Sequence, residues 1–270
     1  MTDVHVHEYG EDNVDGTTNR SSLMNGHWRI SRTGIVVVAA VAIVSGAARP
    51  EALTNGAVAG AGAVRGTVRY AGSPPAAEPV DMSGEAACAA AHAGRTVALQ
   101  KVQVGADGGL QDAIVYVRDA PRGPAASAEP ALLDQRGCIY EPHVIALRVG
   151  QPLVIRNSDP TLHNVHVRAE RNREFNIGQP IQGLESRRAF DAAEVGIDVS
   201  CDVHGWMSGV IAVFDHAHFD VTGEDGSFVL PNLPAGDYVV EVWHETLGVR
   251  TQPVTVPATG AAQVTIEFGS

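Results

Sequence analysis

The chain has 270 residues, 44% hydrophobic but only 5% aromatic, with 19 Lys and Arg against 31 Asp and Glu for a formal net charge of −12. No cluster of basic residues is present to neutralise phosphates, which excludes a nucleic-acid binder. Short Val-rich runs separated by Gly, Pro, Asn and Asp, without any long amphipathic helical pattern, predict an all-β protein of one or two domains.

Residues 1–48 read as a leader and signal peptide. Arg29 and Arg32 flank an apolar stretch over 34–48, and small residues at 45–48 suit cleavage. The stretch is too short to span a bilayer, so no stable membrane span is expected once it is cleaved. Residues 1–23 are unusually acidic and polar for this position. Met24 as the true start gives an ordinary basic n-region; the alternative is a leader retained in the mature protein. No Cys lies beside the cleavage site, so a lipid anchor is not indicated. Loss of the five acidic and three basic residues in 1–48 leaves a mature charge of −10. Export predicts a periplasmic or otherwise extracytoplasmic protein.

Residues 49–63, rich in Gly and Ala, read as a linker with no means of burying a core. The segment 64–118 carries strands of an accessory β-sandwich: residues 64–70 (VRGTVRY) alternate apolar and polar, and 97–104 and 113–117 (AIVYV) are further strand candidates. Residues 119–130, rich in Pro and Ala, are an exposed connection and a domain boundary. A second domain over 131–215 begins with a strand, turn, strand pattern through 144–157. The charged stretch 168–189 reads as long loops or an edge strand, 190–200 as a strand, and 209–214 (GVIAVF) as its return. The remaining portion, 219–270, contains DGSFVLPNLPAGDYVVEV, two strands joined by a Pro/Gly turn.

The chemistry concentrates in two short segments. Cys201-Asp202-Val203-His204-Gly205-Trp206-Met207 holds a thiol, an imidazole and a thioether, and Leu162-His163-Asn164-Val165-His166 offers further imidazole. One Cys and two His with a weak axial Met is the ligand set of blue copper, because soft sulfur stabilises Cu(I) and imidazole suits both oxidation states. Taken singly, a Cys or Met on a strand is more often a core residue; the four in order make the metal reading. His163 and His166, three apart on a strand, point to opposite faces, and spacing alone does not choose between them. His216 and His218 share a face as a peripheral metal pair or a polar strand end. His244 reads as packing or interface, and His92 and His143 have no partner near in sequence.

Residues 162–167 (LHNVHV), Phe190-Asp191 and residues 201–207 (CDVHGWM) resemble the cupredoxins, with the Cys-x-x-His-x-x-Met spacing of the amicyanin type, over 131–215. The resemblance implies a Greek-key β-sandwich holding one type 1 copper ion. It makes His163, Cys201 and His204 the equatorial ligands and Met207 the axial one. Asn164 becomes the residue that ties the first ligand's strand to the neighbour of the Cys, often a hydroxyl residue in the family and Asp202 here, which puts that bond in question. A site closed by four ligands leaves no open position for substrate, so the expected role is one-electron transfer rather than enzyme catalysis. His204 would present its far nitrogen at the surface as the electron port, and Trp206 would join a docking patch or cap the core. The implied partner is a redox protein, donor or acceptor, with a basic docking face.

The 219–270 portion resembles the carboxypeptidase regulatory-like, transthyretin-related β-sandwich, a binding or structural module. Some 50 residues are too few for its core, and residues 66–68 match the module's opening strand. The expectation is a sandwich split around the copper domain; the alternative is a copper domain decorated by strands at both ends. Chains of this two-module type resemble proteins labelled as methylamine-utilisation proteins. With Cys201 taken by copper in an oxidising compartment, Cys88 and Cys138 form the expected disulfide, the alternative being one buried free thiol. Two other functions remain at this point: a copper chaperone or storage protein, and a non-catalytic binding sandwich with a vestigial copper site.

Overall fold

A computed structural model describes residues 61–269 except 94, 96, 100, 124, 125, 127 and 128. The expected leader, signal peptide, Met24 start and residues 49–60 of the linker lie outside the described residues. The strand expected at 64 begins at Ala61, so the last three residues of the expected linker belong to it: β1 (Ala61–Tyr70). After β1 comes a short strap of β2 (Glu78–Val80), α1 (Ala86–Ala91) and β3 (Val97–Leu99), in which the two strands pair antiparallel. The expected strand over 97–104 thus shrinks to three residues, and β4 (Ile114–Val117) follows.

Nine strands then occupy the middle of the chain: β5 (Ala131–Arg136), β6 (Ile139–Glu141), β7 (Val144–Arg148), β8 (Leu153–Asn157), β9 (His163–Arg168), β10 (Phe175–Gln179), β11 (Glu185–Arg188), β12 (Glu194–Ser200) and β13 (Ser208–Phe214). They form two sheets, β10-β9-β12-β13-β7 and β11-β8-β5-β6. The charged stretch read as loops or an edge strand supplies β10 and β11, each an edge strand of its own sheet. Between the sheets lies a core that includes Leu133, Leu147, Ile155, Val165, Phe190, Ile197, Ile211 and Val213.

Five further strands close the chain: β14 (Phe219–Val221), β15 (Ser227–Pro234), β16 (Gly236–His244), β17 (Gly248–Val256) and β18 (Ala261–Phe268). They do not form a sheet by themselves. β1 sits between β15 and β18, antiparallel to the first and parallel to the second, and β4 sits between β14 and β16 in a four-stranded sheet that β17 completes. The enclosed core, with Val64, Val68, Leu110, Val115, Phe228, Leu230, Val242 and Phe268, draws on both ends of the sequence. The protein is therefore all-β, with β-sheets accounting for nearly all its regular structure.

A third apolar layer joins the two sandwiches and explains two sequence runs that are apolar on both faces. Along β13, Ile211 and Val213 face the middle core while Val210, Ala212 and Phe214 face outward. Along β4, Val115 and Val117 face the second core while Ile114 and Tyr116 meet β13's outer face. Successive strand residues point to opposite sides, so a strand covered on both faces reads as a continuous hydrophobic run rather than an alternation. The described residues accordingly fall within one compact unit. Among the described residues no helix is long and apolar enough to cross a membrane.

Candidate metal centre

β9 begins at His163, β12 ends one residue before Cys201, and β13 begins one residue after Met207. The expected ligands therefore lie where three strands of one sheet end. The loop between β12 and β13 is closed by its own backbone: the Cys201 N–H donates to Met207 O at 3.1 Å and the Met207 N–H to His204 O at 2.9 Å. The His204 N–H points at the Cys201 Sγ at 3.4 Å. A loop this tight leaves the thiol and the imidazole little freedom.

The result is a convergence. His163 Nδ1 and His204 Nδ1 lie 2.9 Å apart, and Cys201 Sγ is 3.9 Å from His204 Nδ1. One ligand atom from each of His163, Cys201 and His204 falls within 4.8 Å of the others, and all three residues are buried. Cys201 is the free cysteine. Met207 is buried in the same core as Cys201. A second grouping, Cys138 with Asp159 and His163, offers no thiolate, because Cys138 is bonded to Cys88 with an S–S distance of 2.01 Å.

Charge is arranged to suit a cation. Burial alone would push the Cys201 thiol up, but hydrogen bonding from His163 and from the backbone around it outweighs burial and holds the thiol below its ordinary value. Burial would likewise lower His163, yet its bonds to Asp159 and Cys201 carry it up to about 8. His204 is lowered, first by burial and then by the neighbouring His163. A buried thiol held below its ordinary value beside two imidazoles is a soft, preorganised donor set.

Asn164 makes the bond that the Asp202 departure put in question. Its Oδ1 accepts the Asp202 N–H at 2.7 Å and lies 3.2 Å from the Cys201 Sγ, while its Nδ2 donates to Asp202 Oδ2 at 3.2 Å. The aspartate thus replaces a hydroxyl residue without breaking the tie. His166 turns the other way, as its offset from His163 predicts, and meets Asp202 Oδ1 at 3.0 Å.

One expectation is overturned. His204 was expected to expose its far nitrogen, but it is 1% exposed. The strap covers it: Cys88, the buried residue of α1, sits with its Sγ 3.8 Å from His204 Nε2. Trp206 closes the same side, its ring 5.1 Å from His204 and its Nε1–H donating to Cys138 O at 3.0 Å. Of the two roles considered for Trp206, this geometry is a cap. Sequence could not reveal the cover, because it comes from a segment 116 residues away.

The remaining histidines lie apart. His143 Nε2 meets Glu245 Oε1 at 2.6 Å and His92 Nε2 meets Gly137 O at 2.6 Å. The His216 and His218 rings stack 6.0 Å apart, with His216 Nδ1 accepting the His218 N–H. His244 is buried against Phe268. The residue that sequence reasoning missed is Asp159, whose Oδ2 accepts from His163 Nε2 at 2.9 Å. Its one signal was position, four residues before His163 on the turn leading to β9.

Comparison with known proteins gives likenesses to parts of the chain. No family model matches the chain and no curated protein matches it. Among solved structures, an amicyanin variant in its Cu(I) form is 23% identical and matches 37% of this chain over 98% of its own length, with a TM-score of 0.29. A purple cupredoxin from Nitrosopumilus maritimus is 20% identical over 31% of this chain and 99% of its own, with a TM-score of 0.28. A copper-containing nitrite reductase from Thermus scotoductus SA-01 is 21% identical, with a TM-score of 0.31, over 35% of this chain. The match spans only about a quarter of that reductase, 24% of its length. These partial likenesses are all to copper proteins, at TM-scores of 0.28 to 0.31, and the case for copper rests on this chain's own side chains.

Proposed function

We propose that this protein is an exported type 1 copper protein that carries single electrons. The observation behind the reading is the meeting of two imidazole Nδ1 atoms and one free, buried thiol within 4.8 Å, at the strand ends of a cupredoxin-like sandwich. In it His163, Cys201 and His204 hold the ion and Met207 supplies a weak fourth ligand, with no position left for a substrate. Bound copper would supply a Cu(II)/Cu(I) couple; the chain fixes the donors, buries them and holds the thiol below its ordinary value. The Cys88–Cys138 disulfide fits an oxidising compartment, and the partner is a redox protein. The second sandwich, carboxypeptidase regulatory-like in this reading, is a structural or binding module. The test is the optical and electron spin resonance spectrum of the mature protein with one equivalent of Cu(II). An intense visible charge-transfer band with a narrow copper hyperfine splitting is expected; a colourless protein with an ordinary tetragonal copper signal refutes the reading.

A second reading, copper storage or delivery, draws on the covered His204. A buried ligand edge lengthens the path to any partner, which suits retention of an ion better than rapid exchange of electrons. Cyclic voltammetry separates the two, since a carrier gives a reversible wave and a storage protein binds Cu(I) tightly without one.

A further inference from the structure

The outer nitrogens of the two imidazoles meet opposite surroundings. His204 Nε2 faces the Cys88 sulfur at 3.8 Å, a weak partner. His163 Nε2 faces a carboxylate held by three hydrogen bonds. Asp159 is 6% exposed, and its Oδ1 accepts the Gly137 N–H at 2.7 Å. Its Oδ2 accepts the Cys138 N–H at 2.7 Å as well as the His163 Nε2–H at 2.9 Å. The aspartate's own N–H is anchored on Asn157 Oδ1 at 2.9 Å, and Asn157 Nδ2 donates to Thr161 O and Gln179 O, both at 2.8 Å.

The backbone that receives the carboxylate is itself specialised. Gly137 and Cys138 take φ values of +63° and +58°. Two consecutive left-handed residues aim adjacent N–H groups into one concavity that suits an anion. Glycine adopts this freely; a cysteine there costs on the order of 1 kcal/mol and is retained where the surroundings reward it. A carboxylate held by two backbone N–H groups remains an anion and a hydrogen-bond acceptor, so the His163 proton belongs on Nε2. The Nδ1 lone pair is then left facing His204 Nδ1 and Cys201.

We infer that Asp159, seated in the Gly137–Cys138 turn, is a positioning residue for the metal centre that fixes the His163 tautomer and favours Cu(II) over Cu(I). The inference rests on the copper reading above and adds to it the group that tunes the site. A carboxylate behind a ligand imidazole makes it a stronger donor, and a stronger donor stabilises the more highly charged ion. His204, with only sulfur behind it, lacks this support, so the two imidazoles contribute unequally.

The test compares the wild-type mature protein with Asp159→Asn. In the metal-free wild type at alkaline pH, where the His163 imidazole is neutral, nitrogen-15 NMR should show its single proton on Nε2, slow to exchange with solvent. With copper, Asp159→Asn should bind Cu(II) roughly 10–100-fold more weakly and Cu(I) nearly as well. Each tenfold change in that ratio raises the one-electron reduction potential by 59 mV. An unchanged ratio and potential in a folded Asp159→Asn protein overturns the inference while leaving the copper site standing. A wild type that takes up no copper overturns both. Should the variant not fold, the metal-free wild type still decides, because a neutral His163 carrying its one proton on Nδ1 overturns the assignment.

Discussion

The two sandwiches bury different things. The middle one encloses Asp134, Gln135, Asn157, Asp159, His163, Asn164, Gln179 and His204 among its buried residues, mostly near the end where the ligand loop folds. The second is almost wholly apolar inside, with Thr222 and His244 as its buried polar residues. Thr222 merely ties strands together, its Oγ1 donating to Leu110 O at 2.7 Å and accepting the Ala113 N–H at 2.9 Å. Buried polar groups are costly unless paired, so a dense and mostly paired network, with Gln135 Oε1 the exception, marks the place where the fold has traded stability for chemistry. Among the described residues the second sandwich carries no comparable network.

Substitutions on either side sharpen that contrast. The largest effect is expected from Cys201→Ser, which removes the only thiolate: the visible band should vanish outright and Cu(I) affinity should fall by orders of magnitude in a competition titration. A retained band would remove the thiolate from the site altogether. Phe268→Ala, in the scaffold core, should cost about 3–5 kcal/mol by denaturant unfolding, yet leave the copper spectrum and potential where they were. A shifted spectrum there would mean that the sandwiches are coupled through more than their shared apolar layer.

Removing the Cys88–Cys138 bridge with paired Cys→Ser changes should cost about 2–5 kcal/mol. It should also let diethylpyrocarbonate reach His204 in the metal-free protein, where the wild type resists. Equal modification of both would show that the strap does not shield the ligand. The smallest effect concerns the His143–Glu245 pair, at 2.6 Å and only partly buried. Burial would lower His143, but the bond to Glu245 outweighs it and holds the imidazole above its ordinary 6.5; Glu245, raised by burial, is held below 4.5 by the same bond. The histidine's contribution is complete below pH 6.5 and lost as pH rises through its elevated value. The glutamate's is complete above pH 4.5 and lost as pH falls through its depressed value. The pair therefore stabilises most between about pH 4.5 and 6.5, by less than about 1 kcal/mol. Thermal melts of wild type and Glu245→Gln should converge outside that window, and a constant offset across pH would refute the linkage.

How much of this was legible depended on distance along the chain. Cys201, His204 and Met207 lie on one tight loop, and the return strand could be read from its run of apolar residues. His163 needed a family likeness to be preferred to His166, and the fold then set the latter against Asp202. Asp159 and the cover over His204 were invisible for one reason: both depend on the Gly137–Cys138 turn and on Cys88, which no local pattern connects to the ligand loop. The strap in particular is nearly featureless in sequence, since α1 is a run of alanines around one cysteine with no capping side chain. Its role comes from one covalent bond and what that bond holds in place. β1 and β4 pair with C-terminal strands more than 100 residues away, a match that the alternation within each strand does not encode.

The route of the chain between the sandwiches has a practical side. It leaves β4 at Val117 and returns at Phe219, and these two points are neighbours: Phe219 pairs with Tyr116, and the Val117 N–H donates to His218 O at 3.0 Å. The two ends of the intervening hundred residues thus stand about one strand spacing apart, roughly 5 Å. A segment with such ends has the connectivity of a cassette that a short hairpin turn could replace, while a graft into another host would need the strap as well, since the Cys88–Cys138 bridge binds the two together. Val144, Val210, Ala212 and Phe214, now hidden against β4, would be the surface to repaint with polar side chains before either graft could stay in solution.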